Sequence, residues 1–121
     1  VNEEGRIKKD LPERTYQYGR RIITLFEALP QSKLAQTLGM QVLRSGTSVG
    51  ANYVEADRAR SKAEFIAKMG DSLKELGESS LWLRHIHDSK LVKPQRLVPL
   101  CQETDELIRI FVTIIKKAKG D

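Results

Sequence analysis

Three groups of side chains in this sequence have the types that chemistry uses. His85, His87 and Asp88 lie close together in the manner of a metal-ligand cluster. Cys101 offers a thiol. Ser45, Thr47 and Ser48 offer hydroxyls inside the glycine-bearing run Arg44-Ser45-Gly46-Thr47-Ser48-Val49-Gly50-Ala51-Asn52. Each group fails on spacing. On a helix, residues two apart point about 160° from one another, so His85 and His87 do not readily share one metal. Their helical register puts His87 on a core stripe and His85 outward. Cys101 falls on an apolar stripe with no His or Asp fixed beside it, which describes a packed thiol rather than a nucleophile. The three hydroxyls have no evident general base. The glycine run lacks the G-x-x-x-x-G-K-[ST] spacing of a phosphate loop, and no β-rich run precedes it to supply a strand. The sequence therefore predicts no catalytic residues, no metal and no cofactor.

Charged residues leave more open. Arg44, Ser48 and Glu55 share a narrow polar side of one helix, either as a salt-bridged edge or as a polar pocket; such pairs are weak evidence for function. The 21 Lys and Arg against 16 Asp and Glu give a net charge of +5, a balance that slightly favours polyanionic partners. The lone Cys101 fits a reducing cytoplasm, no apolar run approaches the roughly 20 residues of a membrane span, and no signal-peptide pattern opens the chain. Cytoplasmic location without membrane contact is the expectation.

The elements that must position these residues are helical. Residues 1–12 read as a flexible N-terminal tail and 13–121 as one four-helix bundle. Helix one is expected from about Pro12-Glu13 to Leu29, burying Thr15, Tyr18 or Gly19, Ile22, Leu25 or Phe26, and Leu29, with Arg14, Arg21 and Thr24 outward. Pro30 stops it. Ser32 then caps a second helix that runs through the glycine stretch to about Ala59. One of its stripes is Leu34, Leu38, Val42, Ser45, Val49, Asn52 and Ala56; a second is Gly39, Leu43, Gly46, Gly50 and Val54, leaving few positions for water. Each glycine costs roughly 1 kcal/mol of helix propensity relative to Ala, so this weak helix former needs close packing. Gly46 and Gly50 share a face on which another backbone can approach. Asn52 is expected to hydrogen-bond a neighbouring helix.

Ser61 and Glu64 form a capping box that starts a third helix near Lys62, reaching about Asp88, with Phe65, Met69, Leu73, Leu76, Ser80 and Leu83 inward. Leu81 and Trp82 lie off that stripe. They form either a subunit contact or the cover of a splayed edge. Pro94 suits the first turn of a fourth helix, with Leu97, Cys101, Thr104, Ile108, Phe111 and Ile115 as its core stripe and Leu100, Leu107, Val112 and Ile114 as flanks. Lys116, Lys117 and Lys119 close it, followed by Gly120. Short connections predict an all-α, antiparallel up-down-up-down bundle. That topology gathers Arg6, Lys8, Lys9, Arg14, Arg58, Arg60, Lys62, Lys116, Lys117 and Lys119 at one end. Glu3, Glu4, Asp10, Glu13, Asp57 and Glu64 lie there too, so the end is either a nucleic-acid surface or an ordinary mixed-charge one.

The run from Arg44 to Asn52, with Glu55-Ala56, Ser61-Lys62-Ala63-Glu64-Phe65, Glu75, Glu78 and Trp82-Leu83, resembles the signature of the bacterial proteins encoded in intervening sequences of large-subunit ribosomal RNA genes. The resemblance covers nearly the whole chain. It implies a left-handed four-helix bundle assembling as a ring, a homopentamer in relatives. It also implies a non-enzymatic role with RNA or DNA, or another protein, as partner. Distantly similar bundles accompany a reverse transcriptase and bind nucleic acid through a basic ring. The run from Arg44 to Asn52 with Glu55-Ala56 supplies only Arg44 as a cation. The expected nucleic-acid contacts are thus Arg14, Arg58, Arg60, Lys62, Lys116, Lys117 and Lys119, and the expected packing or interface residues are Gly46, Gly50, Asn52, Leu81 and Trp82.

Overall fold

In the computed structural model, the backbone is described for residues 3–120 and side chains for residues 10–120. Four helices follow in order: α1 (Glu3–Ala28), α2 (Lys33–Asp57), α3 (Lys62–Asp88) and α4 (Pro94–Lys119). There is no strand among the described residues. The start of α1 departs from expectation, because the helix begins at Glu3 and carries Pro12 in its interior. Leu11 is fully buried, so the turn before Pro12 has a core contact to hold it. The Thr15 hydroxyl donates to the Leu11 carbonyl at 2.8 Å. The side chains of Arg6, Lys8 and Lys9 lie outside the described residues.

The two capped starts follow from their side chains. Ser32 accepts from the Ala35 N–H at 3.2 Å, and Ser61 accepts from the Glu64 N–H at 3.1 Å. Glu64 reaches back to the Arg60 N–H at 3.0 Å, completing the box one residue earlier than the usual partner. Pro94 opens α4 where its missing N–H costs nothing.

The glycine stretch is uninterrupted helix, and its contacts explain why. A Cβ on Gly46 would stand 2.6 Å from Ile22 Cγ1, and one on Gly50 would stand 3.4 Å from the Thr15 carbonyl oxygen. Gly39 meets Leu29 and Phe26 in the same way. Contacts on α1 thus step backwards from Leu29 to Thr15 as α2 advances from Gly39 to Gly50, and the two helices run in opposite directions. Unlike the expectation, α2 keeps a face in water: Leu34 is 52% exposed and Val54 46% exposed.

Burial in α3 and α4 corrects the register by one residue at several positions. In α3 the inward residues are Met69, Ser72, Leu76, Ser79, Leu83 and Ile86. Ser79 therefore takes the place expected of Ser80, and Ile86 that of His87, which is exposed. In α4 the buried set is Leu97, Leu100, Thr104, Leu107, Phe111 and Ile114, and Cys101, Ile108 and Ile115 are only half-buried. A stripe spaced by three and four drifts around a 3.6-residue helix, so a stripe extended from one anchor slips sideways.

One polar layer crosses the apolar core with a hydroxyl from each helix. Tyr18 of α1 and Thr104 of α4 share a 2.7 Å hydrogen bond, and Ser45 of α2 and Ser79 of α3 share one of 2.8 Å. All four residues are buried. A further inter-helix bond runs from Ser72 to the Val49 carbonyl at 2.7 Å. Asn52, expected to bridge helices, instead donates to the Ser48 carbonyl of its own helix at 3.1 Å. The small hydroxyls at close-packed positions already make that connection.

Candidate nucleic-acid interface

Each expected cation has a definite setting. Arg58, Arg60 and Lys62 are exposed at the end of α2 and the start of α3, and Lys116, Lys117 and Lys119 are exposed in the last turns of α4. Tyr53 and Phe111 draw these segments together, with ring centroids 6.1 Å apart. Helix α1 fixes the sense of both neighbours. Its residue Thr15 meets α2 at Gly50, while Arg14 and Tyr18 meet α4 at Glu103 and Thr104. Further along, α1 residues Arg21 and Thr24 share a groove with Arg96 and Leu100 at the start of α4. Following α1 backwards therefore leads towards the ends of both α2 and α4, where the two groups of cations lie. Exposed acids interleave with them: Asp57 and Glu64 are also in water, and Glu55 pairs with Lys68 at 3.1 Å.

Arg14 is set apart from this group. Its guanidinium forms a fork with Glu103, at 2.8 and 2.7 Å, and reaches Glu106 at 3.0 Å. The Glu103 hydrogen bond is the main reason its proton is held more tightly than usual, with Glu106 adding to the effect. An arginine so occupied ties α1 to α4 and has little left to offer a phosphate. Arg44 behaves similarly, pairing across to Glu75 at 3.3 Å and Glu78 at 3.6 Å on α3. Together with Glu55–Lys68, this makes the polar side of α2 a salt-bridged edge.

The residues with chemical potential are not assembled. His85 and His87 are both exposed, and His87 Nδ1 lies 3.2 Å from its neighbour Asp88. Among the described residues no group of three His, Cys, Asp or Glu is placed to hold a metal ion. Burial pushes the Cys101 thiol above its ordinary pKa, with Asp105 contributing, so the reactive thiolate is disfavoured. Among the described residues, no helix is long and apolar enough to cross a membrane.

The expected interface residues divide. Gly46 and Gly50 face α1 within the chain. Leu81 is 49% exposed, and Trp82 is half-buried against the core with its ring 6.1 Å from that of His85. The Trp82 indole N–H is inaccessible to solvent and has no hydrogen-bond partner. Sequence reasoning missed a second set of cations, Arg20, Arg21 and Arg96, which gather between α1 and α4. The signal was present for the first two, since Gln17, Arg20, Arg21 and Thr24 recur at helical spacing.

Comparison with known proteins agrees with this arrangement of helices. A crystal structure at 1.70 Å of a protein of unknown function from the S23 ribosomal protein family of Bacteroides thetaiotaomicron VPI-5482 superposes with a TM-score of 0.83. The two share 29% sequence identity, over 90% of this chain and 97% of that one. A search of curated proteins finds no match. The family model for the 23S rRNA-intervening sequence protein matches residues 9–113, a span that takes in the glycine-rich α2, the capping box and the hydroxyl layer. On that match, the chain belongs to the 23S rRNA-intervening sequence protein family.

Proposed function

We propose that this chain is a non-enzymatic binding protein, an up-down-up-down left-handed bundle that assembles in the cytoplasm as a ring, a homopentamer, and engages RNA weakly through its basic end. The observation that carries the reading is the convergence of Arg58, Arg60 and Lys62 with Lys116, Lys117 and Lys119 beyond the Tyr53–Phe111 contact. One such end is diluted by Asp57 and Glu64. Repetition around a ring multiplies weak phosphate contacts through effective concentration. The test combines absolute mass in solution with titration of a structured RNA at low and high salt. Binding by an oligomer that weakens steeply with salt, and that falls when Arg58, Arg60 and Lys62 are changed to Glu, supports the reading. A monomer, or an oligomer indifferent to RNA at low salt, overturns it.

A second reading is that of a scaffold for another protein. It is favoured by the exposed Leu81 beside Trp82, whose buried N–H lacks an acceptor. Changing Leu81 to Glu then removes capture of the partner while leaving RNA binding unchanged.

A further inference from the structure

Two surface arginines are held by acids across helix boundaries. Where Arg14 and Arg44 cross between helices, each meets two carboxylates, Glu103 with Glu106 and Glu75 with Glu78 respectively. Arg20, Arg21 and Arg96 do not. They border a groove of about 310 Å³ between α1 and α4, completed by Gln17, Thr24, Leu25 and Leu100, with no acidic residue in its lining. Among the described residues none of the three guanidiniums has a hydrogen bond or ion pair.

We propose that this α1–α4 groove is a binding site for a phosphoryl group. Its arginines come from two helices, Arg20 and Arg21 from α1 and Arg96 from α4. A carboxylate is planar and is satisfied by one arginine fork, as Glu103 is by Arg14. A phosphoryl group is tetrahedral, offers three or more acceptor oxygens and carries greater charge, so it engages several arginines at once. The other polar side chains are already committed. Gln17 donates to Glu13 at 2.9 Å, and the Thr24 hydroxyl donates to the Arg20 carbonyl at 3.1 Å. Recognition therefore falls to the guanidiniums. The floor is apolar, since Leu25 and Leu100 are almost fully buried, which keeps water from competing along one side. The groove borders the first turns of α4, whereas Lys116, Lys117 and Lys119 occupy its last turn, so the site does not rest on the basic end. The phosphoryl group arrives either as a small free anion or within an RNA strand.

The test uses the full-length protein and two probes, inorganic phosphate and a short single-stranded oligouridylate. Nuclear magnetic resonance follows the Nε–H signals of Arg20, Arg21 and Arg96. Phosphate or the oligonucleotide is expected to shift all three signals beyond any change caused by chloride at equal ionic strength. The double variant Arg21→Gln, Arg96→Gln loses that response, with affinity reduced by about tenfold or more, and its thermal midpoint stays that of the parent. A response to the oligonucleotide alone identifies the strand as the source; an equal response to phosphate identifies the free anion. The variant Arg58→Gln, Arg60→Gln, which weakens the basic end, keeps the groove response. Silence of the three signals towards both probes overturns the proposal, as does an unchanged response in the groove variant.

Discussion

At the scale of single residues, the core tolerates no addition at some glycines and lacks nothing at others. Gly46 faces the branch atoms of Ile22, which is fully buried and has no room to swing aside. Gly46→Ala is expected to destabilise by about 1–3 kcal/mol through overpacking, less the roughly 1 kcal/mol that Ala contributes as a better helix former. Gly77 has nothing within 4 Å of an added Cβ, so Gly77→Ala is expected to stabilise by about 1 kcal/mol. Urea unfolding of the two variants beside the parent checks both signs. Tyr18 provides a pH signature. Its burial pushes the phenol up to about 12, against 10.0 for the free group, and the Thr104 hydrogen bond and the nearby Ser79 hydroxyl only partly oppose that rise. The unfolded chain thus ionises first. The stability owed to neutral Tyr18 is complete below pH 10 and disappears as pH climbs towards 12. Denaturation midpoints measured between pH 8 and 12 are expected to fall across that window, and the fall is expected to be shallower in Tyr18→Phe.

At the scale of elements, the helix ends were the most readable parts of the sequence and the sides of the helices the least. Ser32, the Ser61–Glu64 box and Pro94 act through bonds within one turn, so their chemistry is local and visible in one dimension. Pro12 misled because a proline is equally at home in a first turn and tolerable inside a helix whose neighbours hold it; Leu11, buried by contacts far along the chain, decides the case. The exchange of His87 for Ile86 in the core has a similar origin. Only the partner helix fixes which side of α3 turns inward. The α3 end carries one unfavourable torsion. Lys90, just beyond the cap residue Ser89, has φ of 55°, in the left-handed region where a side chain is crowded. Its N–H bonds the His87 carbonyl, so the conformation is fixed. Lys90→Gly is expected to raise stability by up to about 1 kcal/mol, read as a higher thermal midpoint with no change in helix content by circular dichroism.

At the scale of the whole molecule, the four-helix, all-α character was legible in the sequence, because long amphipathic segments and short polar connections leave few other arrangements. The candidate site was legible only in part. Arg58, Arg60 and Lys62 are neighbours in sequence, and the terminal lysines of α4 form their own cluster, so both groups stand out before any fold is known. Arg14 looked equivalent and is not, because its two carboxylates lie on another helix. Arg96 lies 75 or more positions beyond Arg20 and Arg21 in sequence, and only folding brings the three to one groove. The molecule-scale prediction follows from phosphate electrostatics. For RNA held by the basic end, the logarithm of the binding constant falls linearly with that of salt concentration. Removing one contacting cation is expected to lower the slope by about one, measured by fluorescence anisotropy with labelled RNA.

The meeting of α1 with α4 has a consequence for the order of events in folding. The α1–α2, α2–α3 and α3–α4 interfaces join helices adjacent in sequence, each across a few residues, so their contacts close small loops quickly. The α1–α4 seam joins the first helix to the last and, among the described residues, is the least extensive of the four interfaces. It closes the largest loop for the smallest return, which makes it the last interface to form and the first to part. The Tyr18–Thr104 bond and the Arg14 fork are the latches of that seam. The arginine-lined groove lies along it as well, so an anion bridging Arg20, Arg21 and Arg96 would fasten the chain's two halves and slow its opening.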